Sequence, residues 1–126
     1  MSSEGNTSKM ANVDQGAVGR PKRIQAQPPV KSKEVDDLLL VLSKMDDEDE
    51  IFALLEDLFT IREIRETSQR LAVARLLAAG QSYAASERIT GASATTIARV
   101  SKCLSYGTGG YSAALEILDE QDAKGA

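Results

Sequence analysis

The sequence predicts an all-α domain. Hydrophobic residues make up 42% of the 126 residues but aromatic residues only 4%, so a core must consist mainly of Leu, Ile, Val and Ala. That composition suits packed helices better than a sheet. From Glu34 onward, apolar residues recur at steps of three and four, as amphipathic helices require. Hydroxyl residues and glycines stand where these patterns begin and end, and a chain of this length has room for one domain.

Residues 1–33 are expected to form a disordered basic arm. They are polar, contain all three prolines and lack apolar periodicity, so they cannot bury enough surface to offset the entropy of ordering. Within this arm, Arg20, Lys22 and Arg23 lie in a short Gly-Arg-Pro context that resembles the core of an AT-hook. Such a segment places arginine in the negative potential of a narrow minor groove. The alternative, favoured by so short a match, is an ordinary basic tail.

Two amphipathic helices are predicted in the acidic segment 34–58, which has ten acidic residues and one lysine. The first ends near Lys44. The acidic run 46–50 is expected to form a turn and then begin the second helix, because carboxylates in a first turn complement the helix dipole. The run lacks the pattern of a calcium loop, so a solvated helix start is the simpler interpretation. The apolar positions of the two helices are Val35, Leu38, Leu39, Leu42 and Met45, then Ile51, Leu54, Leu55 and Leu58.

A third and longest helix is predicted to begin at Thr60. Glu63 follows three residues later, in the spacing that pairs the free backbone donors of a helix start. Gly80 is well placed to end this helix. Arginines occupy its polar face, and its apolar positions are Ile61, Ile64, Leu71, Ala74, Leu77 and Ala78.

A helix-turn-helix is predicted over residues 82–104. Ser82 can cap a short helix, residues 90–92 can form a tight turn around a glycine, and Ser93 can cap a second helix reaching about Leu104. In such a motif the second helix lies in the major groove of DNA. The residues expected to pack inward are Ala92, Ile97, Val100 and Leu104.

The outward face of the second helix is chemically suited to DNA. Small side chains at its start allow close approach, threonine can contact a base edge or a thymine methyl group, and cations can contact phosphate or guanine. Residues 59–107 hold seven basic and three acidic residues, although the whole chain carries a net charge of -4. The alternative is a helical hairpin with an ordinary solvated face. The predicted DNA-binding residues are Ser93, Ala94, Thr95, Thr96, Arg99 and Lys102.

Three stretches of sequence resemble one known family. They read RLAVARLLAAGQSY, TGASATTIARVSKCLSYG and GGYSAALEIL. Over roughly residues 34–118 the chain resembles the Trp repressor superfamily, and more closely its short YerC-type branch of Trp repressor-related proteins. The resemblance implies six helices per subunit in an intertwined homodimer that exchanges its early helices. It also implies base contacts at Ala94, Thr95 and Thr96.

The chain departs from this family at two places. In members that sense tryptophan, two arginines and a glycine form the ligand pocket; Arg70 and Arg99 match the arginines, but Val100 replaces the glycine. A branched side chain there should fill the space of an indole, so no tryptophan response is expected. Ala84 and Glu87 stand where the family has phosphate-contacting cations, so DNA binding should be weaker or use other charges.

The predicted function is a cytoplasmic, sequence-specific, double-stranded DNA-binding transcriptional regulator, specifically a repressor. The chain has no histidine, which is the commonest general base and metal ligand. Its sequence contains no residue pattern typical of an enzyme active site, a metal site or a cofactor site. No apolar run suits a membrane, and Cys103 is expected to be a small buried hydrophobe. The domain is placed at 34–120 with a disordered tail at 121–126, and any effector is unknown. The alternative is a dimeric protein-interaction module with weak or no specific DNA binding.

Overall fold

A computed structural model of the chain describes residues 31–125, and these residues form six α-helices without a strand. The predicted all-α class is therefore confirmed. The predicted arm lies almost wholly outside the described residues, and so do its candidate minor-groove residues Arg20, Lys22 and Arg23. Residues 31–101 belong to one compact unit and residues 102–125 to another. The helices are α1 (Lys33–Lys44), α2 (Glu48–Leu58), α3 (Ile61–Ala78), α4 (Tyr83–Thr90), α5 (Ala94–Tyr106) and α6 (Gly110–Gly125).

Side-chain caps set the starts of the first helices. The Asp47 carboxylate accepts a hydrogen bond from the backbone N–H of Asp49 at 3.1 Å, which begins α2 inside the acidic run as predicted. At α3 the Thr60 hydroxyl accepts from the Glu63 N–H at 3.0 Å, and the Glu63 carboxylate accepts from the Thr60 N–H at 2.9 Å. This reciprocal pair is the predicted capping box. Each such bond satisfies a backbone donor that the first turn of a helix leaves unpaired.

The end of α3 depends on Gly80. This residue has φ 91°, in the left-handed region where a side chain is strained. Its N–H donates to the carbonyl of Leu77 at 3.0 Å, and the Gln81 N–H donates to the carbonyl of Leu76 at 3.0 Å. These two bonds form a Schellman motif. The predicted stop at Gly80 is confirmed, and the chain turns there toward α4.

The core of residues 31–101 lies mainly on α3, α4 and the start of α5. The most extensive helix contacts join α3 to α4, followed by α2 to α3. Val73 and Ala74 of α3 are fully buried, whereas Ile61, at the start of the predicted apolar stripe, is 73% exposed. The apolar period identifies a stripe but not how far along it the neighbouring helices reach. The buried residues of this unit are Val73, Ala74, Ala85, Ser86, Ala92, Ile97 and Val100.

Helices α1 and α2 bury none of their residues within the described chain. Both are amphipathic, yet the apolar side chains predicted to face a core are exposed or half-buried. We call their exposed apolar residues the α1–α2 apolar surface. They are Leu38, Leu39, Leu40, Val41, Phe52 and Leu58.

The C-terminal unit differs from expectation at two places. Cys103 is exposed, so its predicted burial is wrong. One helical step, about 100° of rotation, separates it from half-buried Leu104. Helix α6 continues through Gly125, so residues 121–125, expected to be a disordered tail, are helical. They include Ala, Gln and Lys, which favour helices.

We expect Gly80→Ala to lower the free energy of unfolding by about 1–2 kcal/mol, the cost of holding a non-glycine residue in the left-handed region. An added Cβ would meet nothing within 4 Å there, so the loss would report backbone strain alone. Urea unfolding at fixed protein concentration measures it. Gly110→Ala is the control, because its Cβ also meets nothing within 4 Å and its φ is not positive. Equal stability of the two variants would contradict the prediction.

Candidate nucleic-acid interface

Helices α4 and α5 are joined by a three-residue turn at the predicted position. The Ser82 hydroxyl caps α4 by accepting from the Ala85 N–H at 3.0 Å. At the other end, Gly91 adopts φ 78°, and its N–H donates to the Glu87 carbonyl at 2.8 Å. Thr90, predicted to open the turn, closes the last turn of α4 instead. The left-handed glycine lets the chain reverse direction within residues 91–93.

Thr90 organises this turn through three hydrogen bonds. Its hydroxyl donates to the Ser86 carbonyl at 2.7 Å and accepts from the Ala92 N–H at 3.1 Å. Its carbonyl accepts a bond from the Gln69 side-chain amide at 3.0 Å. Gln69 lies half-buried on α3, so the tie joins the turn to the longest helix. The role of Gln69 is not visible in the sequence, because no local pattern signals a partner 21 residues away.

The start of α5 is held by Ser93. Its hydroxyl accepts a bond from the Thr96 N–H at 3.1 Å and donates to the Thr96 hydroxyl at 3.0 Å. The Ser93 carbonyl also accepts from the Ile97 N–H at 3.0 Å. Ser93 therefore caps α5 as predicted. Two of the predicted DNA-binding side chains, Ser93 and Thr96, thus also fix the helix that carries them.

Helix α5 has one buried and one exposed face. Ile97 is 0% and Val100 is 1% exposed, and the turn residue Ala92 is also buried. Leu104, the fourth predicted inward residue, is half-buried. On the predicted outward face, Thr96 is half-buried and the others are exposed: Ser93, Ala94, Thr95, Arg99 and Lys102. All of these lie in the unit 31–101 except Lys102, which continues the same helix into the next unit.

The exposed cations near the start of this interface are few. Arg88 of α4 and Arg99 of α5 are both exposed. Ala84 and Glu87, where the resemblance places phosphate-contacting cations, are exposed on α4 as well. A carboxylate facing solvent there would repel phosphate. Attraction to DNA would therefore have to come from α5 and from basic residues elsewhere in the chain.

The predicted effector-pocket residues lie in different environments. Arg70 is half-buried on α3, and its guanidinium donates to the Thr67 hydroxyl at 3.4 Å on the same helix. Arg99 is exposed on α5. Val100 is 1% exposed, so its branched side chain occupies interior volume at the position where the resemblance places glycine.

Other chemistry finds little support in the part of the chain that the structure describes. Residues 31–125 contain no group of three His, Cys, Asp or Glu side chains that could hold a metal ion. None of the described helices is long and apolar enough to span a membrane.

The chain is similar to known proteins over most of its length. Residues 33–119 match the family model described as Trp repressor protein. The chain is 40% identical over 95 residues to the uncharacterized protein YerC of Bacillus subtilis, which covers 75% of this chain and 91% of that protein. The crystal structure of a TrpR-like protein from Eubacterium eligens superposes with a TM-score of 0.70 at 36% identity, covering 74% of this chain and 96% of that one. The crystal structure of a protein from Staphylococcus aureus superposes with a TM-score of 0.70 at 32% identity. The match covers 73% of this chain and 92% of that one.

We expect Ser93→Ala to lower the free energy of unfolding by about 1 kcal/mol, because it removes the acceptor that caps α5. Urea unfolding measures the loss, and hydrogen exchange should show faster exchange at the Thr96 amide. Ser105→Ala, at an exposed position near the end of α5, is the control and should change stability by less than about 0.5 kcal/mol. An unchanged Thr96 exchange rate would show that the cap is not formed in solution.

Proposed function

We propose that this chain is a transcriptional regulator that binds double-stranded DNA. The chain belongs to the Trp repressor family. Regulation rather than catalysis is the function of that family. One observation carries the proposal for this chain: the exposed start of α5 stands on a helix whose other face is fully buried at Ile97 and Val100. A helix anchored in this way can enter the major groove without losing its position on the protein.

The proposed base readout uses the first turn of α5. Ala94 presents only a methyl group, which allows close approach, and Thr95 can bond a base edge or contact a thymine methyl group. Ser93 and Thr96 complete this first turn, where backbone N–H groups can also receive a phosphate. Arg99 and Lys102, further along the helix, would contact phosphate or guanine. In the arm, Arg20, Lys22 and Arg23 are candidate minor-groove contacts that would add positive charge.

The active form in this proposal is a homodimer. The α1–α2 apolar surface supports it, because two neighbouring amphipathic helices that bury none of their residues leave many large apolar side chains facing water. Phe52 is 52% and Leu39 is 47% exposed in the single chain. A second copy could cover both. Two copies would then present two α5 helices to half-sites about one DNA turn apart, roughly 34–36 Å.

The proposed regulator does not respond to tryptophan. The buried Val100 supports this, because its branched side chain would compete with an indole for space at the position where the resemblance places glycine. Bound at a promoter, such a dimer would act as a repressor by excluding other proteins from the same DNA. In this proposal the regulator works in the cytoplasm, where it would meet DNA.

A second candidate function is a dimeric protein-interaction module without useful DNA affinity. Two observations favour it: the segment 34–58 has ten acidic residues and one lysine, and the exposed α4 positions where the resemblance places cations are Ala84 and Glu87. Acidic residues beside an apolar surface suit a basic protein partner better than phosphate. The two functions make different predictions for DNA selection.

We expect the purified protein to enrich a short, roughly palindromic sequence from fragmented genomic DNA. The double variant Thr95→Ala with Arg99→Ala should lose that enrichment by about tenfold or more, since one good base contact contributes about 1–3 kcal/mol. The matched control is Thr67→Ala with Arg65→Ala, which removes the same residue types from exposed positions on α3.

A salt series separates specific from non-specific binding in this experiment. Affinity that falls steeply with salt and is equal for both double variants would report phosphate contact alone. That result, or no binding at all, would favour the protein-interaction module. Enrichment lost only by the α5 variant would support base readout.

We expect light scattering at micromolar concentration to give about twice the chain mass of 13.5 kDa. Leu39→Glu with Phe52→Glu should shift the mass toward the monomer, because it places charges in the apolar contact. Ile89→Glu is the control, since Ile89 is 58% exposed on α4, outside the α1–α2 apolar surface. A wild-type mass of 13.5 kDa would contradict the dimer.

A further inference from the structure

We propose that Gln69 is a positioning residue for DNA recognition, an inference that rests on the proposed function. Its side-chain amide donates to the Thr90 carbonyl at 3.0 Å, across 21 residues of sequence. This bond joins α3 to the turn that aims α5. Gln69 would not touch DNA; it would act by holding the turn before Ser93 in one geometry.

The Thr90 carbonyl needs such a partner. It is among the last carbonyls of α4, and these carbonyls have no backbone N–H partner inside the helix. The bond that reaches it is partly buried, and an unpaired carbonyl shielded from water is costly. Gln69 supplies the donor from a neighbouring helix. The last turn of α4 is thereby held to the body of the unit 31–101.

The position of Gln69 is itself fixed by packing. Val73 lies four residues further along α3, hence on the same helix face, and is 0% exposed. Helix α3 makes its most extensive contacts with α4. The Gln69 amide also lies 3.9 Å from the place where a Cβ on Gly91 would stand. Its side chain therefore lies directly beside the left-handed glycine of the turn.

The hydrogen bonds of the Thr90 hydroxyl and the Gly91 N–H lie within α4 and the turn. The Thr90 hydroxyl bonds Ser86 and Ala92, and the Gly91 N–H bonds Glu87. These bonds shape the turn, and the burial of Ile97 and Val100 holds α5 against the unit. Base contacts tolerate displacements of only about 0.5 Å. The bond from Gln69 adds a direct link between the turn and α3, which would narrow the range of orientations that α5 can adopt.

The hydrogen bond between Gln69 and Thr90 joins two residues of the protein and requires no ligand. Gln69 and the buried Val100 are present in the chain before any effector binds. The orientation of α5 would therefore be set in the free protein. This gives a physical reason for DNA binding that needs no added small molecule.

The test compares Gln69→Met with wild type. Methionine keeps the length and neutrality of glutamine but cannot donate to the Thr90 carbonyl. We expect its affinity for the selected duplex to fall about tenfold, from the loss of one tie in each copy, with affinity for a random duplex within about twofold. Hydrogen exchange of the free protein should be about fivefold faster at the Ala92 amide. Gln81→Met, at an exposed position between α3 and α4, is the matched control and should leave both values unchanged.

The outcomes separate this inference from the proposed function. If wild type prefers the selected duplex and Gln69→Met prefers it equally, the positioning role is overturned while the proposed function stands. If wild type prefers no duplex over random DNA, the proposed function fails and the inference fails with it. The exchange rate at Ala92 then still reports whether the tie forms in solution.

A second variant covers the case in which Gln69→Met does not fold. Gln69→Glu keeps the shape and polarity of the side chain but places an acceptor against the carbonyl. Its added negative charge lowers the affinity for the selected and the random duplex alike. The ratio of the two affinities therefore isolates the effect on recognition. We expect this ratio to fall about tenfold, as for methionine. A wild-type ratio in a folded Gln69→Glu variant would overturn the proposal.

Discussion

The candidate interface depends on one turn. Gly91, at φ 78°, reverses the chain between α4 and α5 in three residues, and only a glycine does this without strain. The orientation of α5 depends on how that turn is held. Thr90 bonds it locally, Gln69 links it to α3, and Ser93 caps the helix that follows. The hydrogen bonds are individually weak, about 1 kcal/mol each, but they hold neighbouring backbone groups, those of Thr90, Ala92 and Thr96.

Two neighbouring segments of the chain have different physical character. Residues 59–107 carry an excess of basic residues, whereas residues 34–58 are strongly acidic and expose the α1–α2 apolar surface. Residues 34–58 would repel phosphate, and residues 59–107 would attract it. A dimer formed through the apolar surface would keep the two recognition helices free for DNA. Net charge alone would have excluded DNA, and its distribution along the chain reverses that conclusion.

Local signals explain what the sequence could predict. The Thr60 capping box and the Gly91 turn each involve residues within four positions of one another, so their spacing is readable in the sequence. The exposure of Ile61 and the bond from Gln69 to Thr90 are different, because they depend on which helices meet in space. Periodicity marks an apolar stripe without showing what covers it. The family resemblance supplied the number of helices, whereas the DNA contacts on α5 remain a proposal.

The proposed function requires the first turn of α5 to meet the bases of DNA. We would record the amide chemical shifts of isotope-labelled protein as a selected duplex is added. We expect the largest changes at the amides of residues 93–96, with smaller changes at Arg99 and Lys102 and little change in residues 34–58. Changes concentrated in residues 34–58, with residues 93–96 unmoved, would show that nucleic acid does not use α5 and would contradict the proposed function.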